Sequence, residues 1–173
     1  MIKIPARYSK VEFTHVPENI RGFLPKVDQE GQSVYIHGAV GTGKTHIAYA
    51  IAKQHDQATQ WTKFWNVTEL LFEIREDFKR SPEEKRGRAD SLLDFTGLLI
   101  LDDIGAEKPT DFVAETLYMI INNRYNHKFP TVFTSNLHLA ELAERIGDRT
   151  ASRIAEMSRI FELSGKDRRL NNL

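Results

Sequence analysis

The eight residues Gly38-Ala-Val-Gly-Thr-Gly43-Lys44-Thr45 constrain this chain more than any other stretch. They fulfil the pattern G-x-x-x-x-G-K-[ST] between a β-rich run, Ser33–His37, and a segment from Thr45 to Lys53 with Ile47, Ala48 and Ile51 on one helical face. A strand that turns through glycines into a helix leaves successive backbone N–H groups pointing into one concavity. Glycine is required because a Cβ would clash with an anion held there or forbid the dihedrals. The concavity suits a phosphate: Lys44 brings a point charge to the β and γ phosphates, the Thr45 hydroxyl a ligand for Mg²⁺, and the helix N-terminus a partial positive charge. Gly38, Ala39, Val40, Gly41, Thr42, Gly43, Lys44, Thr45 and the adjoining His46 are the candidate residues for ATP or ADP.

A second element is Leu98-Leu-Ile-Leu101-Asp102-Asp103, an apolar run ending in two carboxylates. Such a run reads as a strand covered on both faces. Unpaired buried carboxylates are costly, so two at its tip ask for a cation or a polar site. Asp102 is the candidate for the Mg²⁺ shell, and Asp103 for orienting or deprotonating an attacking water. The third element is Thr134-Ser135-Asn136, where a neutral amide can hydrogen-bond water and γ-phosphate without adding negative charge.

The rest of the pattern alternates strands with amphipathic segments. Trp61–Trp65 reads as a strand, Asn66 with Glu69 as a capped helix start carrying Leu71, Ile74 and Phe78, and Thr110–Tyr125 as a helix with Val113, Leu117, Ile120 and Ile121 on one face. Thr131–Phe133 is a further strand, followed by short helices at Leu139–Ile146 and Thr150–Met157 and a fifth strand at Arg159–Leu163. Alternation at this spacing means a parallel sheet with helices on both faces, and the absence of repeats or linker composition means one domain over residues 1–173. The charged segment Lys79–Asp90 reads as a solvated loop, and Trp61, Phe64 and Trp65 as core.

Composition removes several function classes. There is no cysteine, hence no disulfide scaffold, thiolate zinc site, iron–sulfur cluster or cysteine nucleophile, and a reducing cytoplasm is the expected location. Lys plus Arg (24) equals Asp plus Glu (24), so any contact with nucleic acid must be local. No apolar run approaches the ~18 residues of a membrane helix, and no membrane partner is expected.

With the glycine loop, the Asp-Asp strand and the Thr-Ser-Asn strand in this order, the chain resembles the AAA+ ATPases, specifically the DnaC- and DnaI-type replicative helicase loaders and IstB-type transposition ATPases. The residues that carry the resemblance are Ile4-Pro-Ala-Arg-Tyr8, the stretch from Leu98 to Lys108 (LLILDDIGAEK), Thr134-Ser-Asn-Leu137 with Glu141-Leu142, Arg149-Thr-Ala-Ser-Arg153-Ile, and Gly165-Lys-Asp-Arg-Arg169. It implies an α/β P-loop NTPase fold with strand order 5-1-4-3-2 and no lid domain. It also implies ATP and Mg²⁺ at a subunit interface, Tyr8 near the adenine, Asn136 sensing the γ-phosphate, and an arginine finger acting in trans between self-associated subunits. Arg149 and Arg153, four apart on one helical face, are the finger candidates, with Arg153 favoured by family position. Hydrolysis is expected to be slow and stimulated by assembly. One reason is that Asp103 is one methylene shorter than the glutamate of many AAA+ proteins.

The resemblance further implies a replicative helicase and single-stranded DNA as partners. Lys79, Arg80, Lys85, Arg86 and Arg88 follow the Asn66–Phe78 helix and are the candidate phosphate contacts, diluted by Glu83, Glu84 and Asp90. Two rival readings stand beside the loader. An IstB-like helper would act on duplex DNA, and a small-molecule P-loop kinase would need arginines closing over an acceptor in the same chain.

Overall fold

The structure is a computed structural model, and it describes residues 2–59, 61–77, 87–165 and 167. Two single 3₁₀ turns (Ala6–Tyr8 and Phe13–His15) lead into α1 (Glu18–Arg21) and α2 (Leu24–Glu30). There follow β1 (Ser33–His37), α3 (Lys44–Thr59), β2 (Thr62–Asn66), α4 (Val67–Asp77), α5 (Arg88–Leu93) and β3 (Leu98–Asp102). The chain continues through α6 (Asp111–His127), β4 (Thr131–Ser135), α7 (Leu139–Ile146), α8 (Asp148–Met157) and β5 (Ser158–Glu162).

The described strands form one parallel sheet in the order β2-β3-β4-β1-β5, the expected 5-1-4-3-2 read from the other edge. Strand period two divides its side chains between two cores. Tyr35, Leu99, Leu101 and Phe133 face α4, α6, α7 and α8, while Val34, Ile36, Leu98, Ile100 and Val132 face α3 and the amino-terminal turns. Register brings His37 beside Ser135 and Asn66 beside Asp102, so the carboxyl ends of β1, β3 and β4 open onto one edge. In a doubly wound sheet that edge is where ligands bind.

Local chemistry sets the helix starts. Asn66 Oδ1 accepts from the N–H groups of Thr68 and Glu69, and Thr110 Oγ1 from Val113 N–H, each satisfying donors that a first turn leaves open. Arg124 on α6 is fully buried, with no carboxylate partner among the described residues. Its guanidinium donates to Thr131 Oγ1 (2.7 Å) and to the carbonyls of Phe95, Gly97 and Pro130 (2.8, 2.7 and 2.7 Å), tying α6 to the lead-ins of β3 and β4. Burial pulls its pKa down to about 9, which leaves it charged at neutral pH.

Two expectations change. The loop reading of Lys79–Asp90 fails at its end, because Arg88–Leu93 is helical. Trp61 is not core: it is 54% exposed ahead of the edge strand β2, its ring against Phe95 and its Nε1–H donating to Thr96. An edge strand has a neighbour on one side only, which leaves its flank open to water. Lys79, Arg80, Lys85 and Arg86 lie outside the described residues, and of the five candidate DNA contacts only Arg88 falls on a described element, as the first residue of α5.

Candidate nucleotide site

β1 ends at His37 and the chain turns through Gly38, Gly41 and Gly43, at φ 152°, 81° and 100°, into α3. The loop is closed on itself. Lys44 is 6% exposed, and its Nζ donates to the carbonyls of Gly38 (2.7 Å) and Ala39 (2.8 Å), while Thr42 Oγ1 donates to Ala39 O. The segment after β5 packs on the same loop: Leu163 N–H donates to His37 O, Leu163 O fills the space a Cβ on Gly38 would need, and the Asp167 carboxylate fills that on Gly41. A side chain at Gly41 would be strained by its positive φ, and the Asp167 carboxylate would have to shift to admit it.

The acids sit opposite. Thr45 Oγ1 donates to Asp102 Oδ2 (3.1 Å), and Thr134 Oγ1 donates to Asp102 Oδ1 (2.6 Å) while accepting from Asp103 N–H (2.9 Å). Burial pushes the Asp102 carboxyl above its ordinary range, opposed by the hydrogen bonds from Thr134 and Thr45 and by Lys44, and aided by Asp103. A carboxylate whose charge is disfavoured by burial, bonded to a hydroxyl on the phosphate loop, fits a divalent cation held between Thr45 and Asp102. Asp103 takes φ 62°, and its Oδ1 accepts from Asn136 Nδ2 (2.9 Å). Sequence reasoning gives Thr134 no role; its only signal there is a hydroxyl that follows the apolar pair Val132-Phe133 near the end of its strand.

Lys44, Thr45, Asp103, Thr134 and Asn136 line a cleft of about 460 Å³ with Arg7, Tyr8, Val40 and His46. Tyr8 stacks on Tyr49 (4.5 Å between centroids), which stacks on Phe64 (3.9 Å), so an aromatic column backs one wall. Ile4 instead packs with the core beside α3. His46 bonds His15 (3.0 Å between ring nitrogens), and His37 is buried against the His138 ring, its pKa lowered by that burial first and by His138 second.

The two arginines of α8 do not line the cleft, and they differ. Arg149 is exposed, with no partner for its guanidinium among the described residues. Arg153 is half-buried against its own subunit: Nε donates to Asn122 Oδ1 on α6 (2.7 Å), and the guanidinium lies over Tyr118 (4.9 Å) and Tyr125 (5.6 Å).

The family profile of the IstB-like ATP-binding proteins matches residues 25–172, a span that contains the glycine loop, both acids and Asn136. The chain belongs to the IstB-like ATP-binding protein family. Among relatives of this IstB-like chain, the replicative helicase loader DnaI of Bacillus subtilis (strain 168) is 27% identical over 171 residues, covering 91% of the chain and 53% of DnaI. An insertion-sequence ATP-binding protein of Geobacillus stearothermophilus is 29% identical over 152 residues, covering 85% of the chain and 59% of that protein. The chain thus spans little more than half the length of these two relatives. A crystal structure of the DnaC helicase loader superposes with a TM-score of 0.79 at 27% identity, covering 92% of this chain and all of that one. The fold, a five-stranded parallel sheet in this order with helices around it, is that of its AAA+ P-loop neighbours. No helix among the described residues is long and apolar enough to cross a membrane.

Proposed function

We propose that this IstB-like chain is the ATP-hydrolysing module of a DnaC/DnaI-like helicase loader, a switch that assembles on single-stranded DNA with a replicative helicase. The observation that supports hydrolysis is the arrangement around Thr134, which ties the candidate Mg²⁺ ligand Asp102 and the backbone of the candidate base Asp103 to one hydroxyl.

In this reading Lys44 exchanges the carbonyls of Gly38 and Ala39 for the β and γ phosphates. Thr45 and Asp102 would hold Mg²⁺, which when bound offsets phosphate charge. Asn136 orients the water from one side. Asp103, with Oδ1 bonded by Asn136, keeps Oδ2 to accept the water's proton as the water oxygen bonds the γ-phosphorus and the bond from that phosphorus to the β–γ bridging oxygen breaks, releasing ADP. Charge developing on the transferred phosphoryl group calls for a guanidinium. Because Arg149 is exposed with no guanidinium partner among the described residues and Arg153 is bonded to α6, we assign delivery in trans to Arg149 and the anchoring of α8 to Arg153, with Arg153 as the alternative that family position favours.

The likeness to an insertion-sequence protein supports a second reading, a helper ATPase on duplex DNA. Fluorescence anisotropy with labelled single-stranded and duplex oligonucleotides, with and without a slowly hydrolysed ATP analogue, separates the two. The loader reading expects nucleotide-dependent preference for single strands; preference for duplex replaces it with the helper. Loss of DNA binding in both forms sinks both. If Lys79, Arg80, Lys85, Arg86 and Arg88 bind phosphates, replacing all five with Gln flattens the log–log salt slope by about 0.7 for each phosphate no longer neutralised.

A further inference from the structure

The turn that follows β3 carries a carboxylate that the reaction described above does not use. Asp103 adopts φ 62° and Gly105 φ 89°. A left-handed non-glycine residue costs of order 1–3 kcal/mol and persists only where its surroundings over-determine it. On the β4 side the determination is plain: Asp103 N–H donates to Thr134 Oγ1, Ile104 N–H to Thr134 O, and Ser135 Oγ to Ile104 O. The far half of the turn packs Gly105 so closely on Leu142 and Leu137 that a Cβ there would stand 2.7 and 3.0 Å from their methyl carbons. Its N–H is taken by one group, Glu107 Oε2, at 2.9 Å.

Glu107 is poorly chosen for stability alone. Its Oε1 is buried with no hydrogen-bond partner among the described residues. Burial raises the carboxyl's pKa, the backbone N–H groups of Glu107 and Gly105 oppose that, and the Asp103 charge adds to it. A buried carboxyl oxygen without a partner is a cost that a smaller or apolar residue would avoid.

We infer that Glu107 is a positioning residue for ATP hydrolysis, its side chain closing the Asp103–Glu107 turn and so fixing where the Asp103 carboxylate stands. This rests on the reading of the chain as an ATPase. Thr134 holds the turn at its start and Glu107 at its middle, and with the middle released Asp103 is free to leave its left-handed geometry. Lys44, Thr45 and Asp102, the groups assigned to phosphate and Mg²⁺, lie outside this turn. The loss therefore falls on kcat and not on affinity.

The experiment compares Glu107→Ala with Glu107→Gln, whose amide oxygen can still accept from Gly105. Displacing a reacting group by about 1 Å costs roughly 10²-fold in rate, so Glu107→Ala is expected to lose about that factor in kcat while Kd for a slowly hydrolysed ATP analogue stays within about twofold. Glu107→Gln is expected to restore most of kcat. Wild-type kcat in a folded Glu107→Ala protein overturns the inference, and so does a Gln variant as impaired as the Ala one. Gly105 amide exchange, followed by NMR in the nucleotide-free protein, gives a readout that needs no turnover. Protection lost in Ala and kept in Gln supports the inference, and equal protection in all three proteins overturns it. Absence of ATPase activity in the assembled wild-type protein would instead count against the ATPase reading, and the Gly105 measurement would still decide the role of Glu107.

Discussion

The edge formed by β1, β3 and β4 and the outer face of α8 hold the two sets of candidate reacting groups, and they are built in opposite ways. At the sheet edge each candidate group already has a partner in its own subunit: Lys44 on loop carbonyls, Thr45 on Asp102, Asp102 on Thr134, Asp103 on Asn136. On α8 one guanidinium is exposed with no partner among the described residues, and the other is turned back onto α6. A prebuilt polar site needs no reorganisation when charge develops, whereas an exposed arginine gains strength only when another surface removes it from water. The contrast is the one expected if a single subunit holds nucleotide and a packed pair cleaves it.

The largest effect tests the α8 side. In well-studied phosphoryl-transfer enzymes a delivered arginine is worth about 10³–10⁵ in rate. Arg149→Ala should therefore abolish the rise of specific ATPase activity with protein concentration while ATP affinity stays within about twofold. Mixing it with Lys44→Ala, which lacks the phosphate charge but keeps Arg149, should restore part of the activity. A dead mixture of co-assembled variants would break the division between the two regions. If Arg153→Ala, folded and assembled, is the variant that loses the stimulation and Arg149→Ala is not, the delivered residue is Arg153.

A smaller effect tests the sheet edge. Thr134→Val keeps the shape of the side chain and removes the hydroxyl shared by Asp102 and Asp103. Each buried polar group left unpaired costs about 1–3 kcal/mol, so the two together should lower stability by about 2–6 kcal/mol. In a domain of this size that is roughly 4–24 °C of Tm. Turnover should fall further than ATP affinity, because the acids move and the glycine loop does not. Unchanged stability would show that the edge is not held by this hydroxyl, and the contrast with α8 would lose its basis.

What is legible in the sequence is what short stretches encode. The glycine loop announces itself by residue type, and Leu98–Leu101 by four apolar residues ending in two acids; β1 is legible with its observed bounds and β3 to within one residue. Asn66 and Thr110 are legible as helix starts because caps are local. Groups whose meaning depends on partners about thirty residues away are not. Arg124 looks like any helix cation until the lead-in of β3 supplies carbonyls to receive it. Arg153 looks free until α6 brings Asn122 beside it. The six-residue α5 is too short for periodicity to reveal, and its charged lead-in hides it.

The smallest predicted effect asks whether Arg153 is anchored or stowed. Asn122 Oδ1 receives Arg153 Nε at 2.7 Å in a half-buried setting, a hydrogen bond to a charged group partly shared with solvent. Its loss in Asn122→Ala should cost about 1 kcal/mol, since the upper range of about 1.5–3 kcal/mol for charged groups applies to fuller burial. The tyrosine rings remain to hold the guanidinium. If Arg153 only anchors α8, the assembly-dependent ATPase rate should stay within about twofold of wild type, and thermal unfolding should register the only change. If instead Arg153 is held in reserve and must leave α6 to reach a neighbour's phosphate, the same substitution removes part of the cost of leaving, and each ~1.4 kcal/mol removed raises the stimulated rate by about tenfold. Asn122→Ala thus moves stability one way under both accounts and rate only under the second. A stimulated rate several-fold above wild type, in a protein less stable than wild type, would return the assignment to Arg153 and make Asn122 the residue that restrains it.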